Sequence, residues 1–370
     1  MLQNNQKVLN KWPSKKLSEL VELAYGQNLP KEKRVHGSTD VFGSNGIVDS
    51  HNEYLVKGPG IIVGRKGTIG KIIFTENNFW AIDTTYFIKQ LEPSDFKWLY
   101  YCLQTLDLEK LNSATGVPGL NRNEAYSKKV FFPPLKIQQK IALILSTVDE
   151  EIQKTDQIIE KTEKLKEGLV SRIFFGEKYK TIKIRDVFKT SSGGTPLVKN
   201  KEYYENGTIP WLNSGEVSQG YIYSSNKKIT ELGLKKSSAK IFPIDTVLVA
   251  MYGVTAGKVG ILKIESSTNQ AICGIYPNND YLPEFLYQYL KTQTDFLLKQ
   301  GIGAAQPNIS QETIKNINIP CFSILEQKKI TKILASLDFK ISEDKKSKSK
   351  LTSLKNGLMN DIFSQKVEVN

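Results

Sequence analysis

Histidine and cysteine are scarce in this 370-residue chain. Two histidines, His36 and His51, and three scattered cysteines, Cys102, Cys273 and Cys321, have no spacing that could build a zinc cluster or a disulfide framework. With so few histidines, general acid–base chemistry would have to rest on lysines and carboxylates that no motif brings together. No apolar run approaches the ~18 residues of a membrane span. The amino-terminal stretch MLQNNQKVLNKW lacks the apolar core of a secretion signal. A reducing cytoplasmic setting is expected from these shortages.

Two stretches resemble catalytic motifs and fail on inspection. GRKGTIGK (64–71) and YGVTAGKVG (252–260) end in Gly-Lys as a phosphate-binding loop does. The first required glycine is replaced by Arg65 or Tyr252, and Ile72 or Val259 stands where a metal-binding hydroxyl should follow. They read instead as tight strand-to-strand turns whose glycines supply positive φ. VFFPPL (130–135) lacks the leading Asn or Asp, and the final aromatic residue, of an amino-methyltransferase motif, and no Gly-rich S-adenosylmethionine loop precedes it. It reads as the entry to a helix. Glu76 and Asp83 read as solvated charges, and no nuclease carboxylate cluster is evident.

What is abundant is repetition and positive charge. PPLKIQQKIALILSTVDEEI (133–152) returns as PCFSILEQKKITKILASLDFKI (320–341). A shift of 189 places Ile141 on Ile330, Leu145 on Leu334 and Asp149 on Asp338; upstream, a shift of 187 places Thr68, Gly70 and Lys71 on Thr255, Gly257 and Lys258, and Asn121 on Asn308. The chain is thus a tandem duplication of module and helix. Apolar residues at 3–4 spacing from Ile137 to Ile173 and from Ile330 to Ile362 predict two long helices, each roughly 55 Å at ~1.5 Å per residue. Helices of that length need a partner, and the duplication supplies one in an antiparallel coiled coil. Thr155, Thr162, Asp344, Ser347 and Lys348 fall at its seam, where polar residues fix register.

The expected fold class is α/β (α+β): two mixed modules with a pseudo-twofold internal repeat, at 1–135 and 176–321, followed by the helices 136–175 and 322–365 and a tail at 366–370. Short β-like runs such as GIIVGRKG and DTVLVAMYG dominate each module, then an aromatic helix (95–106 and 283–298) and a Gly/polar loop. The modules differ in content: TPLVKNKEYYENGTIPWLNSGEV (195–217) has no likeness in YGQNLPKEKRVHGSTDVFGSNGIV (25–48). Net charge is +13; residues 1–135 carry 17 Lys+Arg against 13 Asp+Glu (+4), and residues 178–320 carry 17 against 11 (+6). A polyanion surface is therefore expected on the modules rather than on the helices. Candidate DNA contacts are Arg65, Lys66, Thr68 and Lys71 on the first Gly turn, Tyr252, Thr255 and Lys258 on the second, Asn121, Arg122, Gln306 and Asn308 on the following loops, and Asn213 and Ser214. Small residues let backbone approach phosphate, cations complete the contact, and amides and Arg can reach base edges.

In order, duplication and loop text (IIVGRKGTIGK, LVAMYGVTAGKVGI, GTIPWLNSGEV, GAAQPNIS and the two helix starts), nearly the whole chain resembles the specificity subunits of type I restriction-modification systems. The resemblance implies a chain with no chemistry or cofactor of its own. Each module would read one half of a split site in double-stranded DNA, and the helical pair would set the gap. Two methyltransferase subunits would dock along the pair, and an ATP-driven restriction and translocase subunit would join them. S-adenosylmethionine, ATP and Mg²⁺ would belong to those partners. Because the modules differ, the two half-sites should be unlike, and four residues inserted near Thr155 should lengthen the unread gap. A self-contained modification enzyme and a coiled-coil scaffold with no nucleic-acid role are the competing classes.

Overall fold

The structure is a computed structural model that describes residues 12–112, 116–176, 179–300 and 308–369. The chain divides into two compact units, Met1–Ile158 with Asp344–Asn370, and Ile159–Glu343. The two long helices, Leu135–Phe175 (41 residues) and Ile324–Phe363 (40 residues), each contribute one half to either unit.

In the first unit a four-stranded antiparallel sheet runs in the order Val21–Tyr25, Thr85–Gln90, Gly60–Gly64, Ile72–Thr75. A three-stranded sheet places Thr39–Gly43 between Gly46–His51 and Phe79–Ala81. The strand GIIVG is buried throughout because both of its faces are covered. Successive side chains point to opposite faces, so Ile61 and Val63 join the core under the aromatic helix while Ile62 packs with Phe42, Phe79 and Ala81. VLVA in the second unit follows the same logic: Val247 and Val249 enter one core, Leu248 and Ala250 another. That unit's sheets have five strands (Thr190–Ser192, Ile272–Ile275, Val247–Ala250, Val259–Leu262, Tyr221–Ile222) and four strands (Lys227–Ile229, Ile209–Leu212, Ser266–Thr268, Ile241–Phe242).

The first aromatic helix, Phe96–Gln104, starts at Asp95, whose carboxylate accepts the Trp98 N–H at 2.9 Å. The second was expected as one piece over 283–298; it is two, Pro283–Thr292 and Thr294–Gln300. The break falls where Gln293 turns back onto the Leu290 carbonyl and the Thr294 hydroxyl donates to Gly257 of the glycine turn. As expected of VFFPPL, a short strand enters the long helix: Lys129–Phe131 pairs with Ser14–Lys16 before Leu135, and Asn318–Pro320 pairs with Thr181–Lys183 before Ile324.

Each long helix is anchored to its own module by a buried glutamine. Gln138 Oε1 accepts the Asp95 N–H at 2.8 Å and its amide donates to the Pro133 carbonyl at 2.9 Å. Gln327, 189 residues on, accepts the Leu282 N–H at 2.8 Å and donates to the carbonyls of Asp280 and Phe322, both at 2.9 Å. Ile141 and Leu145 enter the first core and Ile330 and Leu334 the second, as their shared spacing predicts. The far ends of the helices cross over: Met359 and Ile362 complete the first core, Phe174 the second.

The helix halves pair antiparallel in each unit. In the first, Asp149 meets Lys355 at 2.7 Å and Asp156 meets Lys348 at 2.6 Å, seven residues on in one helix and seven back in the other. In the second, Lys166 pairs with Asp338, which keeps the count at ten on and ten back. Lys348, expected at the seam, is thus held there by an ion pair. Asp149 and Asp338 also tie the pair to their modules' aromatic helices: the Tyr101 hydroxyl donates to Asp149 at 2.8 Å, and the Gln288 amide donates to Asp338 at 2.9 Å. Burial, then the bond to Asp149, pushes the Tyr101 hydroxyl pKa up.

Burial alone would raise the pKa of Asp338, but hydrogen bonds from Lys166 and Gln288 and the charge of Lys291 outweigh it and hold it below the usual 3.8. Its stabilising contribution is therefore present above the usual carboxylate value and is lost as pH falls through the lowered one. Asp338→Asn should cost about 1–2 kcal/mol at neutral pH, discounted for partial exposure, and should flatten the acid-side loss of stability below about pH 4. Urea unfolding of both proteins between pH 2 and 7 checks this; equal slopes would count against it.

Candidate nucleic-acid interface

Both Gly-Lys stretches are strand connections, as expected. The first joins Gly60–Gly64 to Ile72–Thr75, and the second joins Val247–Ala250 to Val259–Leu262. Gly70 (φ +69°) and Gly257 (φ +77°) turn the chain in the left-handed region. A side chain at Gly70 would lie 2.2 Å from the Glu109 nitrogen. The Gly70 N–H donates to the Gly64 carbonyl and the Gly257 N–H to the Ala250 carbonyl, both at 2.8 Å. The first turn thus closes over six residues (64 to 70) and the second over seven (250 to 257).

That one-residue difference changes the correspondence between the units. Arg65 follows Gly64 and its N–H donates to the Thr84 carbonyl; Met251 follows Ala250 and donates to Ala271. The following loop docks on the same residues, Leu120 N–H on Arg65 and Ile309 N–H on Met251. Asn121 then caps the helix Arg122–Ser127, and Ser310 caps Gln311–Lys315. The sequence pairing of Asn121 with Asn308 is corrected by this shared docking, which pairs Asn121 with Ser310 and Arg122 with Gln311 at an offset of 189; the segment between turn and loop is two residues longer in the second unit, which a gapless shift misses.

The first unit gathers a cation–aromatic cluster here. Arg65 Nε donates to the Asp83 carbonyl at 2.8 Å, and its guanidinium lies over Tyr25 at 5.3 Å and Tyr86 at 5.9 Å. The Arg122 guanidinium lies over Tyr25 at 5.2 Å and Tyr126 at 5.8 Å. The Tyr25 ring, 55% exposed, stands between the two arginines and meets Tyr86 edge-on at 5.1 Å. Such contacts fix guanidinium planes that would otherwise sample many rotamers. Burial, then the neighbouring Tyr25, raises the Tyr86 pKa, so the ring stays neutral. Tyr25 and Tyr86 are not singled out by the sequence; the signal is an aromatic at the last position of one strand and the second position of another. Strand register gives their counterparts in the second unit as Ser192 and Cys273, since Tyr25 faces Tyr86 as Ser192 faces Cys273.

The other candidates are dispersed. Lys66 and Thr68 are exposed on the first turn, and Lys71 Nζ donates to Asn45 Oδ1 at 2.9 Å. Asn121 Oδ1 is occupied by the Glu124 N–H at 3.2 Å. Asn213 caps the turn Ser214–Gln219 in a reciprocal arrangement with Glu216, and Ser214 is half-buried at its start. The Tyr252 hydroxyl donates to the Gln270 carbonyl at 2.7 Å, and the Thr255 carbonyl accepts the Lys258 N–H at 3.0 Å. Lys258 and Asn308 are exposed, while Gln306 lies outside the described residues.

The family described as type I restriction modification DNA specificity domain matches this chain at residues 10–164 and 176–353. The chain belongs to that family. It is 34% identical over 186 residues to the type I restriction enzyme MjaIX specificity subunit of Methanocaldococcus jannaschii, an alignment covering 49% of this chain and 43% of that one. With a putative type I specificity subunit of Mycoplasma pneumoniae it shares 25% identity over 95% of this chain and 96% of the other. The structure matches the crystal structure of the type I restriction-modification system S subunit from M. genitalium with a TM-score of 0.68 at 21% identity, over 98% of both chains. The family is thus built on the frame seen here: two α/β modules and two long paired helices.

Proposed function

We propose that this chain is the non-catalytic DNA-reading subunit of a type I restriction-modification complex. The regions 1–135 and 176–321 each read one half of a bipartite site, and the helices 136–175 and 322–365 set the gap. The observation that carries this reading is one frame with two contents. At matching positions one unit presents Arg65, Arg122 and Tyr25, backed by the buried Tyr86; the other presents Gln311 and Ser192, with Met251 and Cys273 buried behind them. Unlike side chains on one frame select unlike bases. Exposed apolar residues along the long helices, among them Leu143, Leu165, Leu325 and Phe339, support docking of methyltransferase subunits there. Those subunits would bring S-adenosylmethionine, and restriction subunits ATP and Mg²⁺.

Expression with cognate methyltransferase subunits in a methylation-free host, followed by single-molecule mapping of modified adenines, is expected to give one bipartite sequence with two different halves. A palindromic sequence would count against two unlike readers. S-adenosylmethionine binding by the isolated chain would favour a self-contained enzyme instead.

A further inference from the structure

The 51 basic residues of this chain include five arginines: Arg34, Arg65, Arg122, Arg172 and Arg185. Arginine is the side chain that reads guanine most often, because its planar fork meets O6 and N7 together. Most of the five are committed or remote. Arg34 pairs with Asp49 at 3.2 Å, Arg185 is held by Glu312 and Asn316, and Arg172 lies near the end of the first long helix. Arg65 spends two of its donors on the Asp83 carbonyl.

Arg122 differs from all of these. Its guanidinium is stacked against Tyr25 and Tyr126, yet it makes no hydrogen bond or ion pair among the described residues. The rings that hold it are themselves fixed. Tyr126 Oη accepts the Leu23 N–H at 2.9 Å, and Tyr25 ends a strand paired along its length with Thr85–Gln90. The nearby carboxylate of Glu124 is engaged with the Asn121 amide at 2.6 Å. The result is a fork with a fixed plane, half-buried, with open donors beside a surface ring and a second cation. In the second unit the matching position holds Gln311, whose amide donates to Thr190 and whose carbonyl accepts from Ser192, both at 3.0 Å.

We infer that Arg122 is a specificity-determining residue of the first unit, donating to O6 and N7 of one guanine in its half-site, with Tyr25 as the positioning residue. The inference rests on the DNA-reading function proposed above. The second half-site contains no guanine read in this way.

The test maps methylated sites made by the complete methyltransferase–specificity complex carrying the native chain, Arg122→Lys, Arg122→Gln or Tyr25→Leu. The native complex should require a G:C pair at a defined position of one half-site. Arg122→Gln and Arg122→Lys should both relax that position by about 10-fold or more, with the gap and the other half-site unchanged. Tyr25→Leu should relax the same position partially. Lysine keeps the charge but not the fork, so the pair of variants separates base reading from phosphate contact. The inference is overturned if Arg122→Gln leaves both half-sites intact, or if it weakens all sites evenly and Arg122→Lys restores them. Absence of any bipartite methylation by the native complex would instead defeat the underlying reading. Thermal melting of each variant complex confirms folding, and Arg122→Lys, the closest in size, carries the test if Tyr25→Leu melts early.

Discussion

Four residues added to both long helices, after Ile158 and after Glu343, should lengthen the unread gap of the methylated site by about two base pairs without altering either half-site. The same four residues in one helix alone, the insertion near Thr155 expected from the sequence to lengthen the gap, should instead abolish modification, because ion pairs between the helices fix their register. Four residues span about 6 Å and close to one full turn, so the buried face keeps its direction; two base-pair steps at ~3.4 Å cover a similar length. The requirement for a matched pair comes from register. Asp149–Lys355 and Lys166–Asp338 are each seventeen residues apart on both helices. A single insertion makes the two counts unequal, so one ion pair must open. Phe174, in the second core, or Met359 and Ile362, in the first, must then shift out of packed positions, at a cost of roughly 3 kcal/mol or more per large side chain. Methylation mapping of the three variants checks this. Lengthening by the single insertion would show that the helices slide freely, and changed half-sites would make them part of the reader.

Gln327→Leu should destabilise the chain by about 3–5 kcal/mol, more than most single core truncations. The side chain is fully buried and satisfies three backbone groups: the Leu282 N–H at the start of the aromatic helix and the carbonyls of Asp280 and Phe322. Leucine fits the volume but strands those groups without water, at about 1–3 kcal/mol each. Gln327→Glu should recover only part of the loss, since a carboxylate can still accept from Leu282 but cannot donate to either carbonyl unless it is protonated. Urea unfolding of the full chain, with Gln138→Leu as the repeat-related comparison, measures both effects. A loss below about 1 kcal/mol would show that the module and helix are held by apolar packing alone.

The long helices, their shared contact residues, the strands GIIVG and VLVA and the glycine turns were legible because each follows from local rules: periodicity, chirality and propensity act within a few residues. The candidate site was legible only in part. Arg65 and Arg122 could be named as cations on loops, but not as neighbours, and Tyr25 and Tyr86 gave no sign of belonging with them. Those partners lie far apart in the chain and meet only through strand register and loop docking.

The sequence by itself therefore determined the duplication, the class of fold and the difference between the two modules, because repetition and hydrophobic period survive without coordinates. The tertiary structure alone decided that Arg122 corresponds to Gln311 rather than to a residue two positions earlier, that a buried glutamine locks each module to its helix, and which charges interlock the helices. In each case the deciding contact is between side chains or backbone groups brought together by folding, and no spacing along the chain encodes such a distance.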